Sequence, residues 1–245
     1  MGGVGGITAV LLARNGIGHL KIADPDVYEP NNLNRQYGAG VSTLGKKKVD
    51  VISDILGDIN PEISVQTYAE GVTDENLEDI LCGVNVVIDA IEYSSSADKW
   101  MLYKKSRENG LYVLSSPISG FGSTIFCFDP KGPAVEEIFG FTDKNIHDYR
   151  IPSKVLMGMK FDYVPQDYFK RIETGFIPSN AVSVAVASAV VTVDVIKILI
   201  SEERKKTPMF CSEFGEIDLI VVPKIKRYDL WDLEYCKVID LEDEL

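Results

Sequence analysis

Cysteine and histidine are scarce in this sequence. Its 245 residues contain 4 cysteines and 2 histidines. The cysteines are widely spaced and form no C-x-x-C pair, so the sequence does not support a four-cysteine zinc site, and we expect no zinc. The two histidines, His19 and His147, fit no catalytic triad.

Excess positive charge and long uninterrupted apolar runs are also missing. The net charge of −12 argues against a nucleic acid or an anionic membrane as the main partner. We expect no signal peptide and no membrane span, because the most apolar stretch, 181–200, is interrupted by polar residues and predicts a buried or interface helix. The small number of cysteines fits a reduced, cytoplasmic protein.

What the sequence does contain is a regular alternation of two patterns. Short runs rich in Val and Ile predict strands at 20–24, 64–68, 84–90, 111–115 and 123–128, and longer amphipathic stretches predict helices at 44–56, 97–109 and 180–201. This alternation is typical of a doubly wound, Rossmann-like α/β fold with a mainly parallel sheet.

Four short motifs follow one another near the start of the chain. They are a glycine-rich segment (residues 1–6, MGGVGG), an acidic pair (Asp24 and Asp26), the segment NLNRQ (residues 32–36) and Lys48, three residues after Gly45. Glycines let backbone N–H groups approach phosphates at the start of a helix. An acidic residue after the next strand binds ribose hydroxyls, and arginine binds phosphate oxygens in a bidentate way. Together the motifs predict a nucleoside-triphosphate site.

In this order the motifs resemble those of the ThiF/MoeB/ubiquitin-activating superfamily, whose members adenylate the C-terminal carboxylate of ubiquitin-like proteins. The family pattern is G-x-G-G-x-G, then D-x-D, then N-L-N/Q-R-Q, then a glycine three residues before a lysine. The likeness covers nearly the whole chain and is strongest over residues 1–130. A glycine loop alone would be a weak signal, but the linked motifs are specific.

The resemblance implies a role in ATP binding for each matching residue. It assigns the phosphate loop to Gly2, Gly3 and Gly5, the ribose to Asp24 with Asp26 beside it, and further nucleotide contacts to Asn32 and Gln36. It makes Arg35 an arginine finger, often acting across a dimer interface, and Lys48 a phosphate-binding lysine. The residues alone also allow plainer interpretations: a flexible glycine tail, a strand-end turn at Asp24, and a surface arginine.

The metal position departs from the family pattern. Relatives carry D-x-x-D-N after the fourth strand, and the second Asp binds magnesium; here the stretch is Asp89-Ala-Ile-Glu92-Tyr93. Asp89 matches the first position, and Glu92 replaces the metal ligand. A glutamate can still bind Mg²⁺ through oxygen, although its longer side chain shifts the geometry. Glu92 could instead simply begin a helix.

Two further departures concern the first strand and the cysteines. In the family a central strand precedes the glycine loop, and we expect that strand to be missing from residues 1–245. Relatives that form a covalent intermediate use a cysteine in the crossover segment, and this chain has none between Cys127 and Cys211. We therefore expect adenylation without a catalytic cysteine, with Cys127 and Cys211 inert in the core.

The resemblance also implies the domain organisation. We expect one ThiF-like domain over residues 1–245, in which residues 1–128 form the nucleotide-binding half. Residues 129–178 have no clear period and correspond to the crossover segment over the active-site face. Residues 179–245 should form a long helix, an antiparallel hairpin near 208–222, and an acidic tail.

The function implied is ATP-dependent adenylation of a carboxylate, with ATP and Mg²⁺ as cofactors. The substrate would be the C-terminus of a ubiquitin-like sulfur-carrier protein or a peptide, and the enzyme would be a homodimer. Three alternatives remain: activation of a carboxylate on a tRNA base, which the acidic charge weakens; an inactive scaffold subunit; and an NAD-dependent dehydrogenase. The last leaves residues 32–36 unexplained.

Overall fold

The computed structural model describes residues 1–92, 95–120, 122–142, 144–147, 179–206, 224–229 and 237–240. The helices are α1 (Gly3–Arg14), α2 (Lys48–Ile59), α3 (Leu77–Leu81), α4 (Ser96–Glu108), α5 (Val135–Phe139) and α6 (Ala181–Lys206). The strands are β1 (His19–Ala23), β2 (Ser64–Tyr68), β3 (Val86–Asp89), β4 (Tyr112–Ser115), β5 (Ile118–Ser119), β6 (Gly122–Phe128), β7 (Lys224–Asp229) and β8 (Lys237–Asp240). The predicted α/β class is confirmed.

The strands form one parallel pair and a larger sheet. β1 and β2 pair in parallel, with His19 opposite Ser64. The larger sheet has the order β3-β4-β6-β7-β8, and β5 pairs with β6. Within it β3 and β4 are parallel, whereas the pairs β4–β6, β6–β7 and β7–β8 are antiparallel. The pairs β1–β2 and β3–β4 are thus parallel, as the sequence predicts, and β6, β7 and β8 extend the larger sheet in the antiparallel direction.

Two large hydrophobic clusters lie around these strands, and a smaller third cluster joins α1 to α6. One lies among α1, α2, β1 and β2 and includes Val49, Ile52 and Leu56 of α2, all 0% exposed. The other lies among α4, β3, β4, β6 and α6. Leu20 of β1 packs against both clusters and so connects the two sheets.

Helix α6 buries one face against the rest of the protein, as the sequence predicts. Val184, Val191, Val195 and Ile198 follow helical spacing, and each is at most 2% exposed. Residues Ala181–Ser201 have a mean hydropathy of 2.1, long and apolar enough to cross a membrane by composition alone, but half of their most apolar window is buried in the fold. Burial of this kind is typical of a core helix.

Helix α2 begins at Lys48, later than the predicted residue 44. The segment before it folds back against the loop that follows β1. Gly45 has φ +80°, a left-handed conformation that interrupts a helix. The Gly45 N–H donates to the Tyr28 carbonyl (2.9 Å), and the Tyr28 N–H donates to the Lys46 carbonyl (2.9 Å). These bonds place Lys48 beside the loop that follows β1.

Parts of the predicted C-terminal half lie outside the described residues. They include most of the crossover segment, from 148 to 178, and the hairpin predicted near 208–222. Within the described part of the crossover segment, α5 ends at Gly140, which has φ +71°. β7 and β8 form an antiparallel pair in the region predicted as the tail.

Candidate active site

A pocket of about 190 Å³ lies at the carboxyl ends of β3 and β4, beside the start of α1. Ligands in open α/β sheets bind at this edge. Six of the residues predicted from the sequence line the pocket: Gly2, Gly3, Arg35, Gln36, Asp89 and Glu92. Five others do not line it: Gly5, Asp24, Asp26, Asn32 and Lys48.

The glycine-rich segment is the ordered start of α1 rather than a flexible tail. Gly2 is extended and caps the helix without a side-chain hydrogen bond. A Cβ atom on Gly3 would lie 3.0 Å from Cγ2 of Val184, and one on Gly5 would lie 3.1 Å from Cβ of Ala90. The glycines therefore let α1 approach α6 and the end of β3 closely, which leaves the first N–H groups of α1 facing the pocket.

The NLNRQ motif holds Arg35 at the pocket wall. The Nη1 atom of Arg35 donates to the Asn31 carbonyl (2.8 Å) and to Oδ1 of Asn34 (3.0 Å). Asn32 is buried, and its Oδ1 accepts from the Glu29 N–H (3.0 Å), so its side chain stabilises the turn Pro30–Asn32 instead of lining the pocket. Arg35 lines the pocket of its own chain.

Gln36 lines the pocket and carries a buried amide oxygen without a hydrogen-bond partner among the described residues. The residue is 8% exposed, and its Oε1 has no hydrogen-bond partner among the described residues. A buried amide oxygen without a partner is costly, and the O and N atoms of such an amide exchange by a simple flip. In either orientation, the side chain is available to hydrogen-bond a ligand.

The residues Asp24, Asp26 and Lys48 form a separate ionic cluster. Lys48 is 5% exposed, and its Nζ lies 2.7 Å from Oδ2 of Asp26 and 4.0 Å from Oδ1 of Asp24. Asp24 Oδ1 accepts from the Asp26 N–H (2.9 Å), and Asp24 Oδ2 contacts the Met1 amino group. The structure brings the predicted lysine and acidic pair together, but their charges are paired with one another.

Asp89 lies on the pocket floor with its carboxylate fully engaged. Its Oδ2 accepts from Lys99 Nζ (2.6 Å), the Tyr103 hydroxyl (2.8 Å) and the Ser115 hydroxyl (2.9 Å). Its Oδ1 accepts from the Ile91 N–H (2.9 Å). Burial, and secondly the Asp89 charge, raises the pKa of the Tyr103 phenol well above its usual range. Tyr103 therefore stays neutral and remains a hydrogen-bond donor.

Lys99, Tyr103 and Ser115 also line the pocket, and sequence reasoning missed them. One signal was present: Lys99 and Tyr103 are four residues apart in a predicted helix, so they share a face. The sequence does not indicate what this face contacts, because Asp89 and Ser115 come beside it only in the folded protein. Ser115 is the last residue of β4, at the same edge as Asp89.

Glu92 is exposed at the pocket and makes no side-chain contact among the described residues. No group of three or more His, Cys, Asp or Glu side chains that could hold a metal occurs in the part of the chain that the structure describes. Of the cysteines, Cys127 is buried, as predicted, and Cys82 is exposed. Cys211 and Cys236 lie outside the described residues.

Known proteins are similar to this chain in sequence and in fold. The chain is 41% identical over 91 residues to tRNA threonylcarbamoyladenosine dehydratase of Bacillus subtilis, which covers 37% of this chain and 36% of that protein. It is 35% identical over 154 residues to adenylyltransferase and sulfurtransferase MOCS3 of Culex quinquefasciatus, covering 59% of this chain and 35% of that protein. Each match thus spans about a third of the relative's length.

Solved structures give the same fold over almost the whole chain. E. coli MccB with ATP superimposes with a TM-score of 0.66 at 20% identity, covering 98% of this chain and 61% of MccB. PaaA superimposes with a TM-score of 0.67 at 19% identity, with 98% and 62% covered. A model of the ThiF family matches residues 1–230. The chain belongs to the ThiF family.

Proposed function

We propose that this protein adenylates a carboxylate with ATP, giving an acyl-adenylate and pyrophosphate. A carboxylate is already ionised at neutral pH, so an oxygen atom can attack the α-phosphorus without a general base. Pyrophosphate leaves with the electrons of the broken P–O bond. The protein's work is to position the reactants and to neutralise phosphate charge.

One observation carries the proposal. A single pocket is lined by Gly2 and Gly3 at the start of α1, by Arg35, and by Gln36, whose amide oxygen has no partner among the described residues. Helix N–H groups and a guanidinium bind phosphate oxygens, and the amide can hydrogen-bond a further nucleotide atom. The volume of about 190 Å³ is below the roughly 300–1,000 Å³ of complete ligand sites, so the pocket holds the reacting end of the nucleotide rather than all of it.

The ionic cluster would serve the rest of the nucleotide. Asp24 follows β1 and could bind the ribose, which would compete with its contact to the Met1 amino group. Lys48 would need to exchange part of its pairing with Asp26 for a phosphate oxygen. Asp26 is 60% exposed at its side chain, so its pairing with Lys48 is easily exchanged.

Magnesium fits the pocket through a single carboxylate. Asp89 has both oxygens occupied by protein donors, whereas Glu92 is free at the pocket. Mg²⁺ commonly binds one or two carboxylates together with substrate phosphates and water. Glu92 would therefore hold the ion, which when bound neutralises charge on the phosphates.

The carboxylate substrate remains open between a ubiquitin-like sulfur-carrier protein and a peptide. The name of the MOCS3 relative supports adenylation, with sulfur transfer in the same protein. The B. subtilis relative favours a second candidate, activation of a carboxylate on a tRNA base. The net charge of −12 opposes a nucleic-acid substrate, and we rank it second. An inactive scaffold is the third reading.

We also propose a homodimer. Apolar side chains are exposed in the segment between β1 and α2, with Val41 85%, Leu33 44% and Tyr37 37% exposed. Three exposed apolar side chains within nine residues of chain support an interaction surface at this segment. Sedimentation equilibrium should give twice the chain mass, and replacing Val41 and Leu33 with Ser should shift the equilibrium to monomer.

The first experiment is ATP–pyrophosphate isotope exchange in the presence of Mg²⁺ and candidate carboxylates. Exchange that requires a carboxylate and is lost in Arg35→Ala would support adenylation. Exposed Arg14 provides the matched control, Arg14→Ala. No exchange, together with no Mg·ATP binding by calorimetry, would contradict the proposal and favour the scaffold.

A further inference from the structure

Lys99 lines the pocket, and its ammonium group is paired with a single carboxylate oxygen among the described residues. The residue is 8% exposed and lines the pocket from α4. Its Nζ donates to Asp89 Oδ2 at 2.6 Å, which is its only hydrogen bond among the described residues. An ammonium group has three donors, so two have no partner among the described residues.

Asp89 fixes this ammonium in place. Its carboxylate is itself held by Tyr103, Ser115 and the Ile91 N–H. The Asp89 side chain is 0% exposed and the Lys99 side chain 10%, so the ion pair has little contact with solvent. Buried donors without acceptors carry a desolvation penalty, which an anionic ligand in the pocket would remove.

We propose that Lys99 is a second anion-binding residue of this pocket, whose ammonium group holds an anionic oxygen of the reactants. The inference rests on the proposed adenylation. Arg35 lines the same pocket from the segment between β1 and α2, so two cations from different elements would face the reacting groups. The anionic oxygen belongs either to a phosphate of ATP or to the acceptor carboxylate; both place the same chemistry at the ammonium.

The competing interpretation is that Lys99 only neutralises Asp89. Both interpretations predict that losing Lys99 weakens the fold, because Asp89 would be left buried without its counter-charge. Only the proposal predicts that ligand affinity depends on a cation at this position. The variants must therefore separate the effect of a positive charge on ligand binding from the effect of the Lys99–Asp89 ion pair on the stability of the fold.

The test compares Lys99→Met with Lys99→Arg and with the double change Asp89→Asn/Lys99→Met, which removes both charges together. Lys104→Met is the matched control, since Lys104 is exposed on the same helix and does not line the pocket. Binding of Mg·ATP and of inorganic pyrophosphate is measured by calorimetry, and folding is checked by urea unfolding. Butyrate and neutral butyramide, added with a non-hydrolysable ATP analogue, probe the carboxylate by NMR.

We expect at least tenfold weaker binding of one anionic ligand in both variants that lack the cation. Lys99→Arg should stay within threefold of wild type, and Lys104→Met within twofold. Loss of pyrophosphate and ATP affinity assigns the phosphate; loss of butyrate alone assigns the carboxylate. Equal affinities in folded wild type and double variant would overturn the role of Lys99. A wild-type protein that binds no nucleotide would overturn adenylation itself, and the inference with it.

Discussion

Asp24 and Asp89 occupy equivalent places in the fold but have different surroundings. Asp24 follows β1 and Asp89 ends β3, and both side chains are at most 9% exposed. Asp89 accepts four hydrogen bonds from fixed protein groups. Asp24 accepts one backbone N–H and otherwise faces the ammonium group of Lys48.

The difference separates a structural carboxylate from an exchangeable one. Neutral donors on packed elements hold Asp89 in one geometry, so it can orient Lys99 but cannot easily become a metal ligand. The contacts of Asp24 are mainly ionic, and a ribose or phosphate can exchange with them. We therefore expect Asp89 to fix the pocket and propose that Asp24 is the one that exchanges its contacts for a ligand.

The largest expected effect comes from Asp89→Ala. It removes the acceptor of Lys99, Tyr103 and Ser115, and should lower the free energy of unfolding by about 3–5 kcal/mol. Asp24→Ala should cost only about 1–2 kcal/mol, because Lys48 keeps Asp26 as its partner. Urea unfolding of the two variants measures both values. Equal losses of unfolding free energy would contradict the distinction between Asp89 and Asp24.

Arg35→Ala tests the ligand side of the comparison. Removing this guanidinium should lower the exchange rate about 10²–10³-fold, since a preorganised charge at a phosphate contributes on the order of 3–4 kcal/mol to the transition state. Stability should change by less than about 0.5 kcal/mol, because Arg35 contacts only its own loop. Similar losses in Arg14→Ala would show that the effect is not specific to the pocket.

Gly3→Val tests whether close packing of α1 fixes the pocket. A Cβ added at Gly3 would lie 3.0 Å from Cγ2 of Val184, so the valine side chain should destabilise the fold by about 1–3 kcal/mol. Combining it with Val184→Ala should recover part of that loss, as measured by thermal unfolding. No recovery in the double variant would mean that the strain arises elsewhere.

Tyr28→Phe tests the electrostatics on the Asp24 side. Burial, and secondly the Asp24 charge, raises the pKa of Tyr28 to about 12. Because the unfolded value is about 10, the neutral phenol stabilises the fold below pH 10, and this contribution is lost between pH 10 and 12. The Phe variant should lose about 1 kcal/mol at pH 7, where its hydrogen bond to the Tyr37 carbonyl is missing.

The measurement compares how the free energy of unfolding changes with pH in wild type and in Tyr28→Phe. Wild type should lose more stability than Tyr28→Phe from pH 10 to 12, and parallel curves would contradict the assignment. Asp24→Asn should lower the pKa of Tyr28 and so narrow this pH range. No such change is expected from substitutions at Asp89.

The smallest effect is expected for Asp26→Asn. The Asp26 side chain is 60% exposed, so its ion pair with Lys48 contributes at most about 1 kcal/mol. The change should nevertheless free Lys48 and alter ATP affinity more than stability. Calorimetry at two salt concentrations separates these quantities.

Local sequence pattern predicted much of this structure. The strands and the long helices fall close to their predicted positions, because apolar periodicity directly reports which face of an element is buried. The spacing between motifs, a local property, predicted that the glycine-rich segment and Arg35 belong to one site, and Gly2, Gly3 and Arg35 line one pocket. The start of α2 was placed too early, since Gly45 and its hydrogen bonds to Tyr28 interrupt the helical pattern.

What pattern could not supply was contact between distant segments. Lys99 and Asp89 are separated by 10 residues and meet only because α4 packs beside β3. The pairing of β6 with β7 joins Gly122 to Asp229, and no periodicity indicates such a partner. Asn32, although inside a binding motif, is used by its own turn. For Lys99 and for β6 the missing information was tertiary, whereas for Asn32 it was the geometry of a local turn.

The contact between α1 and α6 also bears on synthesis of the protein. The Ser188 hydroxyl donates to the Val4 carbonyl across 184 residues of chain, at the helix that begins the pocket. At about 5–20 residues per second, a ribosome needs roughly 10–40 s to make the intervening sequence. During that interval the glycine-rich end of α1 cannot pack against α6, which has not yet been synthesised. The ATP site is thus expected to assemble late in translation, and a stalled nascent chain that lacks α6 should not bind nucleotide.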